Sequence, residues 1–235
     1  MCRMDCPDKP GNDGRRKCLP MTITLHDFEL SGNCYKLRLL MSILNLPYDI
    51  VPVDFFPGRE HKSDAFLRLN PFGQLPVLQD DDLTLSDSGA ILAYLAKKYD
   101  ASGLWFPDDP AITAEILRWH AVADDITATS SAARLALGYG YDFDTEKSQK
   151  GAHRIFRIMD EDLWFGEKEG RDWLCSPAHP TTADIACFPY VMLSEEGGIS
   201  RQDYPALRRW TDRVRRVPGF TVMSGIFPAG PAKPE

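Results

Sequence analysis

The hydrophobic pattern of the chain changes period near residue 100. Before that point, short β-branched runs alternate with helical stripes. Thr22 to Phe28 reads as a strand, and Glu29-Leu30-Ser31-Gly32-Asn33 is a turn rich in capping residues. Cys34, Leu37, Leu40, Met41 and Leu44 recur at helical spacing and predict one buried face, which Asn45-Leu46-Pro47 ends. Tyr48 to Phe55 reads as a second strand, closing a strand-helix-strand unit whose two strands should be parallel. A loop and short helix over 57–69 lead to a hairpin, with strands around 75–78 and 83–85 reversed at Asp80-Asp81-Asp82. Ala90, Ile91, Tyr94 and Leu95 then face inward from the next helix.

Residues 99–110 carry Asp-Ala-Ser-Gly, Phe-Pro and Asp-Asp-Pro, the chemistry of a linker. Everything after them reads as helix. Ile112, Ile116 and Trp119 mark one helical stripe, Ile155, Phe156, Met159 and Leu163 another, and Leu207, Trp210 and Val214 a third. Thr181 and Asp184 stand at capping-box spacing ahead of an apolar run, a signal for folding rather than chemistry. The pattern predicts an α/β domain over 21–98, the linker 99–110, and an all-helical domain over 111–235. Residues 1–20 show no apolar period and no signal-peptide core, and read as a disordered extension from an upstream start, Met21 standing directly before the first strand.

Composition narrows the function. A chain of 235 residues with 43% hydrophobic residues can build a sizeable core, and no apolar run is long enough to cross a bilayer. A formal charge of -7, with lysine and arginine scattered, argues against nucleic acid as the main partner. The six cysteines, at 2, 6, 18, 34, 175 and 187, lack metal-ligand pairing and fit reduced thiols in the cytoplasm. Cys2, Cys6 and Cys18 have no fourth ligand to complete a metal site.

Candidate chemistry concentrates in 70–91. Pro76 enters a strand without a backbone N–H to give, which suggests a cis turn that leaves the Leu75 amide and carbonyl free for an extended ligand. Asp87 and Ser88 open the following helix, whose free amides favour a carboxylate while Asp87 accepts from an ammonium. Together they describe a site for a small zwitterionic peptide.

Asn70-Pro71-Phe72-Gly73-Gln74-Leu75-Pro76-Val77-Leu78 followed by Asp87-Ser88-Gly89-Ala90-Ile91 resembles the cytosolic glutathione transferases, and the likeness extends over about 21–225. The resemblance implies a thioredoxin-like βαβ-ββα domain followed by an all-helical domain, a homodimer, and glutathione as co-substrate for a small hydrophobic electrophile, with no metal and no further cofactor. Ser31 matches the catalytic serine of theta- and delta-like enzymes, in which Ser-x-x-Cys opens the first helix. Cys34 is the alternative activator, since Ser31-Gly32-Asn33-Cys34 also resembles the Pro-Gly-x-Cys of beta-class enzymes. The zeta-class pattern fits less well, because Asn33 stands at its cysteine position, although Lys36-Leu37-Arg38 keeps its tail.

The other contacts follow by resemblance. His61, with Lys62 beside it, matches the theta-class segment that serves the glycyl carboxylate, and Gln74 stands where relatives often carry lysine. Asp87 and Ser88 would hold the γ-glutamyl group, although Gly89 departs from the delta pattern of arginine. Trp119, Tyr139 and Tyr141 are candidates for the electrophile pocket, with a core role the ordinary explanation of a helical tryptophan. Three functions follow: conjugation of glutathione to electrophiles, disulfide or peroxide reduction through Cys34, and non-catalytic glutathione binding.

Overall fold

A computed structural model describes residues 23–229. The predicted extension and its three cysteines lie outside them. The N-terminal part is a four-stranded mixed sheet in the order β2-β1-β3-β4. Strands β1 (Ile23–Asp27) and β2 (Tyr48–Pro52) run parallel, joined by helix α1 (Gly32–Ile43). After the short helix α2 (Asp64–Leu69), β3 (Val77–Asp80) pairs antiparallel with both β1 and β4 (Leu83–Ser86). Helix α3 (Ser88–Tyr99) follows. This is the thioredoxin-like arrangement.

Strand β2 ends three residues earlier than its apolar run predicts. Its pairing with β1 stops at Pro52, which has no N–H for the ladder. Val53 still donates to the Asp27 carbonyl at 2.8 Å, whereas Phe55 and Phe56 belong to the following loop and meet other aromatic rings.

The rest is helical: α4 (Pro110–Ile126), a π-helical turn at Thr127–Ser131, α5 (Ala132–Tyr139), α6 (Thr145–Lys168), α7 (Thr182–Met192) and α8 (Pro205–Val214). Helix α7 is apolar around its circumference, and all eleven of its residues are buried, so it forms the centre against which α1, α3 and α4 pack. Its start is fixed by the capping box. The Asp184 carboxylate accepts from the Thr181 amide, the Leu174 amide and Trp210 Nε1 at 2.8, 3.1 and 2.8 Å, which ties α7 to α8. Trp119 of α4 is likewise core, buried in the main apolar cluster. Among the described residues, no helix is long and apolar enough to cross a membrane.

Packing of α1 on α7 is close enough to demand a glycine. A Cβ on Gly32 would lie 2.7 Å from the Tyr190 ring, so the first turn of α1 rests directly on that side chain.

Candidate active site

A cavity of about 630 Å³ opens between the sheet end that carries α1 and α3 and the helical part. Ser31, His61, Lys62, Gln74, Leu75, Asp87 and Ser88 all line it, together with Tyr139 and Tyr141. Residues from four separate segments of the N-terminal part are therefore brought to one wall. Cys34 and Trp119 do not reach it.

Ser31 is the N-cap of α1. Its Oγ accepts from the Cys34 amide at 3.2 Å, which uses a lone pair and not the hydroxyl proton, a proton also within reach of the Cys34 thiol. Capping and thiolate donation are thus compatible in one side chain. Cys34 lies one turn on, at 0% exposure. Burial, reinforced by the Asp27 carboxylate, pushes its thiol up to about 12, so it stays protonated and enclosed.

The turn that bears Ser31 is clamped from two directions. Arg38 pairs with Asp27 at the end of β1 and donates to the Glu29 carbonyl at 2.7 Å, and Arg134 from α5 donates to the Leu30 carbonyl at 2.9 Å. Arg134 carries no sequence signal for this role, because its contact joins segments 104 residues apart, whereas the Arg38 contacts are local, nine and eleven residues away.

Leu75 precedes Pro76 through a cis peptide bond. The loop leading to it is held by Asn70, which donates from Nδ2 to the Gln74 carbonyl at 2.8 Å and accepts from the Phe72 amide at 3.1 Å. Lys62 Nζ donates to the Gly73 carbonyl at 2.8 Å, so its charge stands at the loop rim. His61 is buried at 5% exposure and stacked on Phe55, with ring centroids 4.2 Å apart. That differs from the solvated loop position ordinary for a lone histidine. Burial, then Lys62 and Arg59, lower its pKa, and its Nδ1 has no hydrogen-bond partner. It can offer a neutral N–H to an anion.

Asp87 adopts φ 77°, a left-handed backbone value that a non-glycine residue holds only when its surroundings enforce it, and its carboxylate accepts from the Ala90 amide at 2.8 Å. Asp124 of α4 lines the same cavity; burial and the Asp87 charge raise its pKa. Two carboxylates from different parts of the chain thus line the cavity close enough for the charge of one to act on the other. The sequence offered no reason to select Asp124 from the acidic positions of α4.

The cavity also has an aromatic side, which adjoins His61 through Phe55. Phe28, Phe55, Tyr139, Tyr141 and Phe143 line it, with Phe55 and Tyr141 stacked at 6.3 Å and Tyr141 and Phe143 at 6.2 Å. Tyr190 closes the floor beside Ser31. Burial raises its pKa, opposed by the Ser131 hydroxyl, the Arg134 charge and the Asn33 amide, so it remains a neutral phenol.

Residues 25–103 match the family profile of the glutathione S-transferase N-terminal domain. Glutathione S-transferase theta-2 of Homo sapiens is 43% identical over 181 residues, covering 74% of this chain and 72% of the relative. Glutathione S-transferase GstB of Escherichia coli K12 is 30% identical, covering 83% of this chain and 94% of the relative. The crystal structure of a glutathione S-transferase from Pseudomonas fluorescens superposes with a TM-score of 0.77 at 28% identity, over 86% of this chain and 98% of the other. The chain belongs to the glutathione S-transferase family.

Proposed function

We propose that this glutathione transferase binds glutathione along the Ser31–Ser88 wall of the cavity and adds its thiolate to a small hydrophobic electrophile held at the aromatic side. The observation that carries the reading is the convergence of Ser31, His61, Gln74, Leu75, Asp87 and Ser88 on one cavity wall. In this reading, the Leu75 backbone pairs with the cysteinyl unit. Asp87 and Asp124 take the γ-glutamyl ammonium, and Ser88, at the α3 N-terminus, takes its carboxylate. His61 and Gln74 serve the glycyl carboxylate. Pro76 sets the loop, while Thr181 and Asp184 are structural.

A free thiol with a pKa of about 8.5 is only a few per cent ionised at neutral pH. Lowering it by about two units takes roughly 2.7 kcal/mol of preferential stabilisation of the anion. A Ser31 hydroxyl bond to the sulfur and the positive end of α1 supply that order of energy without any group changing charge. The thiolate then attacks the electrophile, the sulfur–carbon bond forms, and the leaving group departs with its electron pair or, in an addition, the adduct gains a proton from water. The enclosed, protonated state of Cys34 favours this reading over a mixed-disulfide reductase. The protein works as a homodimer in the cytoplasm, a reducing compartment that keeps glutathione as its thiol, in the detoxification of small electrophiles.

Glutathione-dependent absorbance change with chlorodinitrobenzene, run beside a hydroperoxide and a glutathione mixed disulfide, tests the assignment. Conjugation should dominate. Turnover confined to the disulfide, with a glutathione adduct on Cys34, would overturn it. Light scattering should give about twice the 26.5 kDa chain mass, and a monomer at micromolar concentration contradicts the dimer.

A further inference from the structure

Behind the Ser88 wall lies a lysine that the catalytic account does not use. Lys36, on α1, is 1% exposed, and its Nζ lies 3.4 Å from Ser88 Oγ. The ammonium sits 5.9 Å above the Tyr190 ring. A lysine so enclosed is uncommon, since its charge loses hydration without a close ion pair to offset it.

We propose that Lys36 is a positioning residue for the carboxylate of the γ-glutamyl group, acting through Ser88. An ammonium has donors and no acceptor, so Ser88 Oγ can only accept from it, and the Ser88 proton is then turned toward the cavity. A neutral amine carries a lone pair, and the Ser88 proton can turn back to it. The charge of Lys36 thus sets which way Ser88 donates, and it adds a positive charge directly behind the α3 N-terminus. The inference rests on the reading of Ser88 as a ligand residue.

The groups around Lys36 make it the one that titrates near the working range. Burial pushes Lys36 down to about 8, opposed by Cys187, Asp124 and Asp87. On α4, His120 is pushed down to about 4 by burial and by Lys36, so it is neutral, and Asp124 titrates above its ordinary value. On α7, burial raises both Cys187 and Tyr190, which stay protonated. A carboxylate bound at Ser88 favours the ammonium and raises its pKa. The sign follows: binding is strengthened below the free-protein value of about 8 and loses that strength as pH rises through it.

Calorimetry with S-methylglutathione, whose blocked thiol does not titrate, tests this on wild type, Lys36→Met and Ser88→Ala. Lys36→Met should bind about tenfold more weakly at about pH 6.5 and converge on wild type by about pH 9.5. Its melting temperature should not fall, since a buried charge is replaced by an apolar chain of similar shape. Should that variant fail to fold, Lys36→Gln takes its place. Proton uptake on binding, measured in buffers of different ionisation heat near pH 8, should be greater for wild type than for the variant, the amine of the ligand contributing equally to both. Equal affinity, equal pH dependence and equal proton uptake in the two proteins would overturn the role of Lys36. Unchanged binding by Ser88→Ala would instead remove the reading of Ser88 on which it stands.

Discussion

Arg134 donates from Nη1 to the carbonyl oxygen of Leu30, 2.9 Å away and 104 residues earlier in the chain. Leu30 immediately precedes Ser31, so a side chain of the helical part fixes the backbone from which the proposed activating hydroxyl projects. The same guanidinium pairs through Nε with Glu196 and lies over the Tyr139 ring. One planar group therefore joins the Ser31 turn, the 3-10 turn at Leu193–Gly197 and the aromatic side of the cavity. Replacement by lysine keeps the charge but cannot make both bonds. Arg134→Lys should lower kcat about tenfold through misplacement of Ser31, with glutathione affinity nearly unchanged. Steady-state kinetics at saturating glutathione checks this, and a selective loss of affinity at constant kcat would be inconsistent with it.

Asp87 holds a strained backbone at the cavity rim while capping α3. A residue kept there only as a cap would be replaceable at a cost to folding. Asp87→Ala should weaken glutathione binding by about 1.5–3 kcal/mol, the range of a charge-assisted bond, and lower the melting temperature by only a few degrees, the cost of the lost cap. Titration calorimetry and thermal unfolding on the same sample separate the outcomes. Unchanged affinity with a lowered melting temperature would make Asp87 a cap and nothing more.

Asp80, at the end of β3, is 1% exposed, and its Oδ2 accepts from the Tyr94 and Tyr99 hydroxyls and Lys98 Nζ at 2.7, 2.6 and 2.8 Å. Burial alone would raise its pKa, yet the hydrogen bonds from Lys98, Tyr99 and Tyr94 prevail and hold it below the ordinary value. Its folded pKa being depressed, its contribution to stability is present above the unfolded value and disappears as pH falls through the folded one. Asp80→Asn should therefore cost roughly 1–3 kcal/mol at neutral pH, and the deficit should shrink steadily below about pH 4. Urea unfolding across that range reads it directly. A deficit independent of pH would mean that the carboxylate charge is not what ties α3 to the sheet.

The N-terminal fold was legible because its signals are local. A helical stripe from Cys34 to Leu44, a Pro-Val-Leu run and an Asp-Ser cap each specify their element within a few residues, and the resemblance joined them into a site. The capping box at Thr181 and Asp184 was readable for the same reason. Hidden from the sequence were contacts whose partners lie far apart: Arg134 with Leu30, Asp124 beside Asp87, and Lys36 behind Ser88. The first two become meaningful only when the helical part closes over the sheet, and the third only when α1 and α3 pack side by side. The burial of His61 escaped for a different, local reason, since its ring is covered by Phe55 from a loop that the pattern assigned to a strand.

The central claim is that the Ser31 hydroxyl holds the glutathione thiolate, and the absorbance of that thiolate in the complex tests it most directly. Titrating the thiolate band with pH in wild type, Ser31→Ala and Cys34→Ala gives the apparent thiol pKa in each. Ser31→Ala should raise that pKa toward the free value of about 8.5 and lower kcat by roughly ten- to a thousandfold while glutathione still binds. Cys34→Ala should leave the thiol pKa where it is. An unchanged thiol pKa and full activity in Ser31→Ala, with the loss appearing in Cys34→Ala instead, would contradict the account.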